Sequence, residues 1–220
     1  MTCSSMADVA SEASAPAGSL LTFSNDAELE SLRRDQFTST VSHWLSGCTS
    51  LTALDCTGLS QVTTVGDYWL SRCTSLTALD CAGLAWLGSV GRCWLSGCTS
   101  LTAMDCTGLS QVTTVGDYWM SRCTSLTALD CTGLTQLTTV GDFWLSGCTS
   151  LRAIDCTGLS QVTTVGAHWL SRCIRLTALD CTGLTQLATL GDWWLFGCAM
   201  LTALGCPWLP LDLGILGAPS

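Results

Sequence analysis

The 220-residue chain contains no lysine, and glutamate occurs only at Glu12, Glu28 and Glu30. Lysine chemistry and P-loop capture of phosphate are thereby excluded. Charged residues make up only 11% of the chain, far below the roughly quarter found in ordinary soluble domains. The 17 acidic against 8 basic residues give a formal charge of −9, which argues against a nucleic-acid backbone as partner. The two histidines, His43 and His168, lie far apart in sequence with no nucleophile constellation beside either, so an enzyme has little to stand on. Long apolar runs are also missing, because Pro207, Pro210 and Asp212 break the C-terminal stretch; no membrane span is expected. The opening residues, MTCSSMADVASEASAPAGSLLTF, lack the basic and apolar regions of a secretory signal. A cytoplasmic location follows as the expectation, with the cell surface or secretion as the alternative.

What the chain has instead is a repeat. Trp44, Trp69, Trp94, Trp119, Trp144, Trp169 and Trp194 recur every 25 residues, and the text between them is nearly constant. In the first copy the apolar positions are Leu45, Cys48, Leu51, Leu54, Cys56, Leu59, Val62 and Val65, a spacing of neither a long helix nor simple alternation. A single 25-residue unit cannot bury its apolar side, whereas stacked units share a core, so the pattern predicts a solenoid. At about 4.8 Å per coil the array would form a rod on the order of 30 Å long. Copies alternate between Gly (Gly47, Gly97, Gly147, Gly197) and Arg (Arg72, Arg122, Arg172), the mark of duplication in pairs. The expected organisation is a disordered tail over 1–22, a polar cap over 23–43, the array over 44–206 and a C-terminal cap or tail over 207–220.

The pattern Leu51, Leu54, Cys56, Leu59 resembles a leucine-rich repeat, and the stretch GDYWLSRCTSLTALDC from Gly66 to Cys81 is similar to the BspA-like, Treponema-type branch. In that alignment Leu45 takes the usual Phe position, Trp44 a small-residue position, and Leu59 the place many such repeats give to Asn. The resemblance implies a leucine-rich-repeat solenoid, with short parallel β-strands on one face and short helical or 3-10 turns and loops on the other. It also implies a non-catalytic scaffold for protein–protein interaction, with an adhesive or surface-antigen-like role.

Alternation in a strand Ala53–Thr57 turns Leu54 and Cys56 inward and Asp55 and Thr57 outward. The candidate partner-binding face is therefore the row Asp55, Asp80, Asp105, Asp130, Asp155 and Asp180 together with Thr57, Thr107, Thr132, Thr157 and Thr182. Such a row is either a stripe for a basic protein partner or a divalent ion, or a solvated face that keeps a charge-poor chain soluble. A regular Thr-bearing face could also match ice, though the interleaved Asp row counts against it. Asp67, Asp117, Asp142 and Asp192 suit the N-cap of a short helical turn through Tyr68–Ser71. The Trp row is expected to pack inside. Fourteen of the 16 cysteines form two rows with alternating spacings of 8 and 17 residues, which suits buried thiols better than metal ligands, so no cofactor is expected. The unit 69–93 departs most, with Ala82, Ala85, Trp86, Gly88, Ser89, Arg92 and Cys93. Drift in one copy explains this most simply; a specific contact is the other possibility. Near-identical units also fit a recently expanded structural array with no dedicated ligand, because a uniform surface offers little discrimination between partners.

Overall fold

The computed structural model describes residues 19–22, 38–40 and 42–206, the first four by their backbone alone. These residues form a succession of coils whose strands stack into two parallel rows. The first row holds β1 (Ser19–Thr22), β2 (Leu51–Asp55), β4 (Ala78–Asp80), β7 (Ala128–Asp130), β9 (Ala153–Asp155), β11 (Ala178–Asp180) and β13 (Ala203–Gly205). The second holds β3 (Thr64–Val65), β5 (Ser89–Val90), β6 (Thr114–Val115), β8 (Thr139–Val140), β10 (Thr164–Val165) and β12 (Thr189–Leu190), one strand from each of six coils. The first row matches expectation; the second, built from Val-Thr-Thr-Val segments in three coils and from variants of that string in the other three, is a sheet where only turns and loops are expected.

From β2 onward pairing is parallel and in register, so each paired residue meets its counterpart 25 positions away: Leu54 with Leu79, Asp130 with Asp155, Thr114 with Thr139. β1 pairs with β2 in parallel but with a register shift after Ser19. The first row divides into two sheets, β1-β2-β4 and β7-β9-β11-β13, since the coil between them contributes only the bridge from Asp105 to Asp130. Ser19–Thr22, assigned above to the tail, pair with β2 as strand β1. Residues 1–18, most of the cap over 23–43, and 207–220 lie outside the described residues.

Inside the coils, Leu45, Leu51, Leu54, Cys56, Leu59, Val62 and Val65 are buried as their spacing predicts, Cys48 is half-buried against them, and their repeats extend one continuous core. The third side of the coil is made differently. Over Asp67–Arg72 the backbone alternates, with positive φ at Tyr68 (61°), Leu70 (55°) and Arg72 (59°). A pleated strand would send neighbours to opposite faces, yet here Trp69 and Leu70 are both buried. The left-handed residues are tied to adjacent coils: Tyr68 N–H donates to Arg92 O, Leu70 N–H to Trp44 O and Arg72 N–H to Ser96 O.

Gly and Arg alternate at the last of these left-handed positions, with φ of 74–76° at the glycines. Relief of the side-chain strain, about 1–2 kcal/mol, exceeds the entropy that glycine adds to the unfolded chain, about 0.5–1 kcal/mol. Arg122→Gly is therefore expected to raise stability by about 0.5–1 kcal/mol, read as a higher urea midpoint. A lowered midpoint would mean that the packing of the Arg122 stem over Gly147 outweighs the strain.

Candidate functional site

The Asp row stands on the open side of the first strand row. Asp80, Asp105, Asp130, Asp155 and Asp180 are exposed and Asp55 is half-buried. The strands end at these aspartates, not two residues later. Thr57 and Thr107 open 3-10 turns, Thr57–Leu59 and Thr107–Leu109, and Thr132, Thr157 and Thr182 sit in the equivalent tight turns, all exposed at the corner of the coil. The predicted Thr residues thus flank the strand face from the turn.

Each aspartate is held by a local bond that alternation alone did not suggest. Oδ1 of Asp55 accepts from Thr57 N–H at 2.8 Å, and Asp80, Asp105, Asp130, Asp155 and Asp180 accept from the backbone two residues on at 2.8–2.9 Å. The carboxylate terminates the strand and opens the turn, as short acidic side chains do in Asx-turns. The row is therefore both a structural device and a line of negative charge. Hydrogen bonds from Thr132 and Thr182 hold the carboxyls of Asp130 and Asp180 below their ordinary range.

The second carboxylate row departs from expectation. No helical turn spans Tyr68–Ser71, and these side chains serve the next coil: Asp67 Oδ1 accepts from Arg92 N–H at 2.8 Å, Asp117 from Asp142 N–H at 3.0 Å and Asp142 from Ala167 N–H at 2.8 Å. The orphan N–H belongs to a neighbouring coil because the alternating backbone points it along the axis. Arg92, the one base in this row, lies 3.4 Å from Asp117 through Nε.

Other rows are used the same way. Thr63, Thr113, Thr138 and Thr163 hydroxyls donate to carbonyls one coil earlier at 3.0–3.3 Å. The thiols of Cys73, Cys98, Cys123, Cys148, Cys173 and Cys198 donate to the carbonyls of Leu45, Leu70, Leu95, Met120, Leu145 and Leu170 at 3.0–3.2 Å. Burial pushes Cys98, Cys106 and Cys156 up to about 12, so little thiolate exists at neutral pH. Cys48, at the end of its row, is lowered by hydrogen bonding with Cys73. Among the described residues no group of three or more His, Cys, Asp or Glu side chains could hold a metal ion.

The Trp row is inside. Trp69, Trp94, Trp119, Trp144 and Trp169 are fully buried, and successive indoles from Trp44 to Trp194 lie 5.4–6.0 Å apart between ring centroids, nearly parallel. No described helix is long and apolar enough to cross a membrane.

Stacked in-register coils, one short strand each on the open face and a Leu-x-x-Leu-x-Cys core, define a leucine-rich-repeat solenoid. The chain belongs to the BspA type leucine rich repeat region family, whose profile matches residues 19–91 and 84–202 in 6 copies. It is similar in fold to the leucine-rich repeat protein of Treponema pallidum, at 21% identity and a TM-score of 0.57, covering 75% of this chain and 72% of that one. It is also similar to a leucine-rich cell surface protein from Faecalibacterium prausnitzii, at 18% identity and a TM-score of 0.56, over 76% of this chain and 42% of that one. No curated protein matches the chain.

Proposed function

We propose that this chain is a non-catalytic scaffold that binds a basic protein partner along the Asp row of its first strand row. The observation that carries this is the row of carboxylates, exposed at Asp80, Asp105, Asp130, Asp155 and Asp180 and half-buried at Asp55, each with one oxygen tied to its own turn. A partner bearing Arg or Lys would meet charges whose directions are already fixed, which lowers the ordering cost of binding. Because the units are nearly identical, binding should be repetitive, with avidity gained along the row. The Faecalibacterium relative is a cell surface protein, and adhesion is the form such binding would take at a surface. A second reading, a structural array with no dedicated ligand, is favoured by the Thr, Cys and Asp67-type rows, whose polar atoms are turned to neighbouring coils.

The triple variant Asp105→Asn, Asp130→Asn, Asp155→Asn separates the two. Asn keeps the acceptor that holds each turn and removes only the charge. With a deca-arginine peptide as probe, the wild-type chain should bind in a salt-sensitive way, and the variant should lose about tenfold or more in affinity with its melting unchanged. Equal affinity in both proteins would overturn the scaffold reading and leave the ligand-free array.

A further inference from the structure

The coil that departs most from the repeat gathers its departures at one spot. Trp86 stands where the other coils carry Gln61, Gln111, Gln136, Gln161 and Gln186, and it is 66% exposed, the most of any large apolar side chain among the described residues. Its neighbours within the coil are all shortened: Ala82 replaces Thr57, Ala85 replaces Ser60, and Gly88 replaces Thr63. An exposed indole thus stands beside three positions, 82, 85 and 88, at which this coil has lost the hydroxyl side chain of the coil before it. Ser89 pairs with Thr64 before it and Thr114 after it, and this register places Gln61 and Gln111, both exposed, at the same position one coil to each side of Trp86.

Nothing in the core needs this residue, since Leu84, Leu87 and Val90 on either side of it in the coil are already buried. Keeping so much indole in water is unfavourable, and the other five coils avoid it with Gln. Among the described residues the other exposed large apolar side chains, Ile174, Trp193 and Met200, belong to the last coils, so no second large apolar side chain of that set joins Trp86. An isolated aromatic face flanked by amides suits a ligand that is apolar on its face and polar at its edge.

We infer that Trp86, with Gln61 and Gln111, is a stacking site for a neutral hexopyranose, of the kind presented by β-linked glucans. The axial C–H groups of such a ring carry slight positive charge and pack on the negative face of the indole. Its equatorial hydroxyls lie at the rim, where each both donates and accepts, as a Gln amide does. Asp80 and Asp105, exposed in the coil of Trp86 and in the next, and the net charge of −9 disfavour sulfated or otherwise anionic sugars. The site is independent of deca-arginine binding by the Asp row and gives one position in the array an identity of its own.

The test is a calorimetric titration of the full chain with cellohexaose, with Trp86→Ala and the double variant Gln61→Ala, Gln111→Ala alongside. Saturable binding on the order of millimolar is expected, weakened about tenfold or more by Trp86→Ala and several-fold by the double variant. Trp86 is exposed enough that its removal should leave the thermal melt unchanged, and deca-arginine binding should persist in the same variant. Absence of saturation with cellohexaose, or equal binding by Trp86→Ala, would overturn the inference. So would sedimentation showing that Trp86 instead joins two copies of the chain.

Discussion

Replacing Gly133 by Ala should split the array in the middle. A Cβ at Gly133 would overlap the Cys106 carbonyl of the preceding coil and come within 2.6 Å of the Thr107 Cα. Those atoms are backbone inside the stacked core and cannot swing aside as the end of a flexible side chain would. Overpacking of an ordinary core costs about 1–3 kcal/mol, and here the only relief is to separate two coils that share hydrogen bonds along the whole turn, so the cost should reach the top of that range or beyond. Because solenoid stability is a sum of coil terms and nearest-neighbour terms, weakening one interface should also uncouple the two halves. The thermal melt by circular dichroism should therefore move down by roughly 10 °C and resolve into two steps. Gly205→Ala is the matched control: its Cβ would lie 3.5 Å from Asp180 Oδ1, an ordinary contact, and its melt should not change. A single unshifted transition for Gly133→Ala would mean that the coils are not packed this closely.

The same close approach shows where the sequence was legible and where it was not. Leu51, Leu54, Cys56 and Leu59 could be placed inside because burial leaves a periodic trace, and in a 25-residue repeat every trace appears several times. The family followed from the same positions. The candidate face was legible only as far as alternation reaches: Asp55 and its repeats do point outward, but that their Oδ1 atoms close a turn onto Thr57 is a matter of φ and ψ, which apolar spacing does not record. Asp67 was harder, since its partner is the N–H of Arg92, 25 residues away. A Gly-Asp-aromatic string reads equally well as a local cap or as a link between coils, and only the stacking decides. The positive φ of Tyr68 and Leu70 left no signal that could be read, because glycine, the usual sign of a left-handed residue, is absent at both positions; only the position of Arg72, which is glycine in alternate coils, carried one. Trp86 was visible as a departure; its exposure was not.

Trp119→Ala is the second substitution expected to have a large effect, and opposing terms set its size. The indole is fully buried and stacked on two sides, 5.7 Å from Trp94 and 5.4 Å from Trp144. Truncating a buried Trp to Ala costs about 3–5 kcal/mol through lost burial and the cavity left behind. Two stacking partners add about 0.5–1.5 kcal/mol each. Against this, the Nε1–H of Trp119 is buried without a hydrogen-bond partner, as are those of Trp69, Trp94, Trp144 and Trp169. Deleting that donor returns about 1–3 kcal/mol of desolvation cost. The net loss should be about 3–5 kcal/mol, measured by urea denaturation at the wild-type slope. Trp119→Phe discriminates between the terms: it keeps a ring in the stack and discards the unpaired N–H, so its loss should be less than half that of the Ala variant. If Phe proves as costly as Ala, the cavity dominates and the unpaired donors matter little. If Phe matches the wild type, the five buried N–H groups are what limits the stability of this solenoid, and the Trp row is retained for its stacking in spite of them.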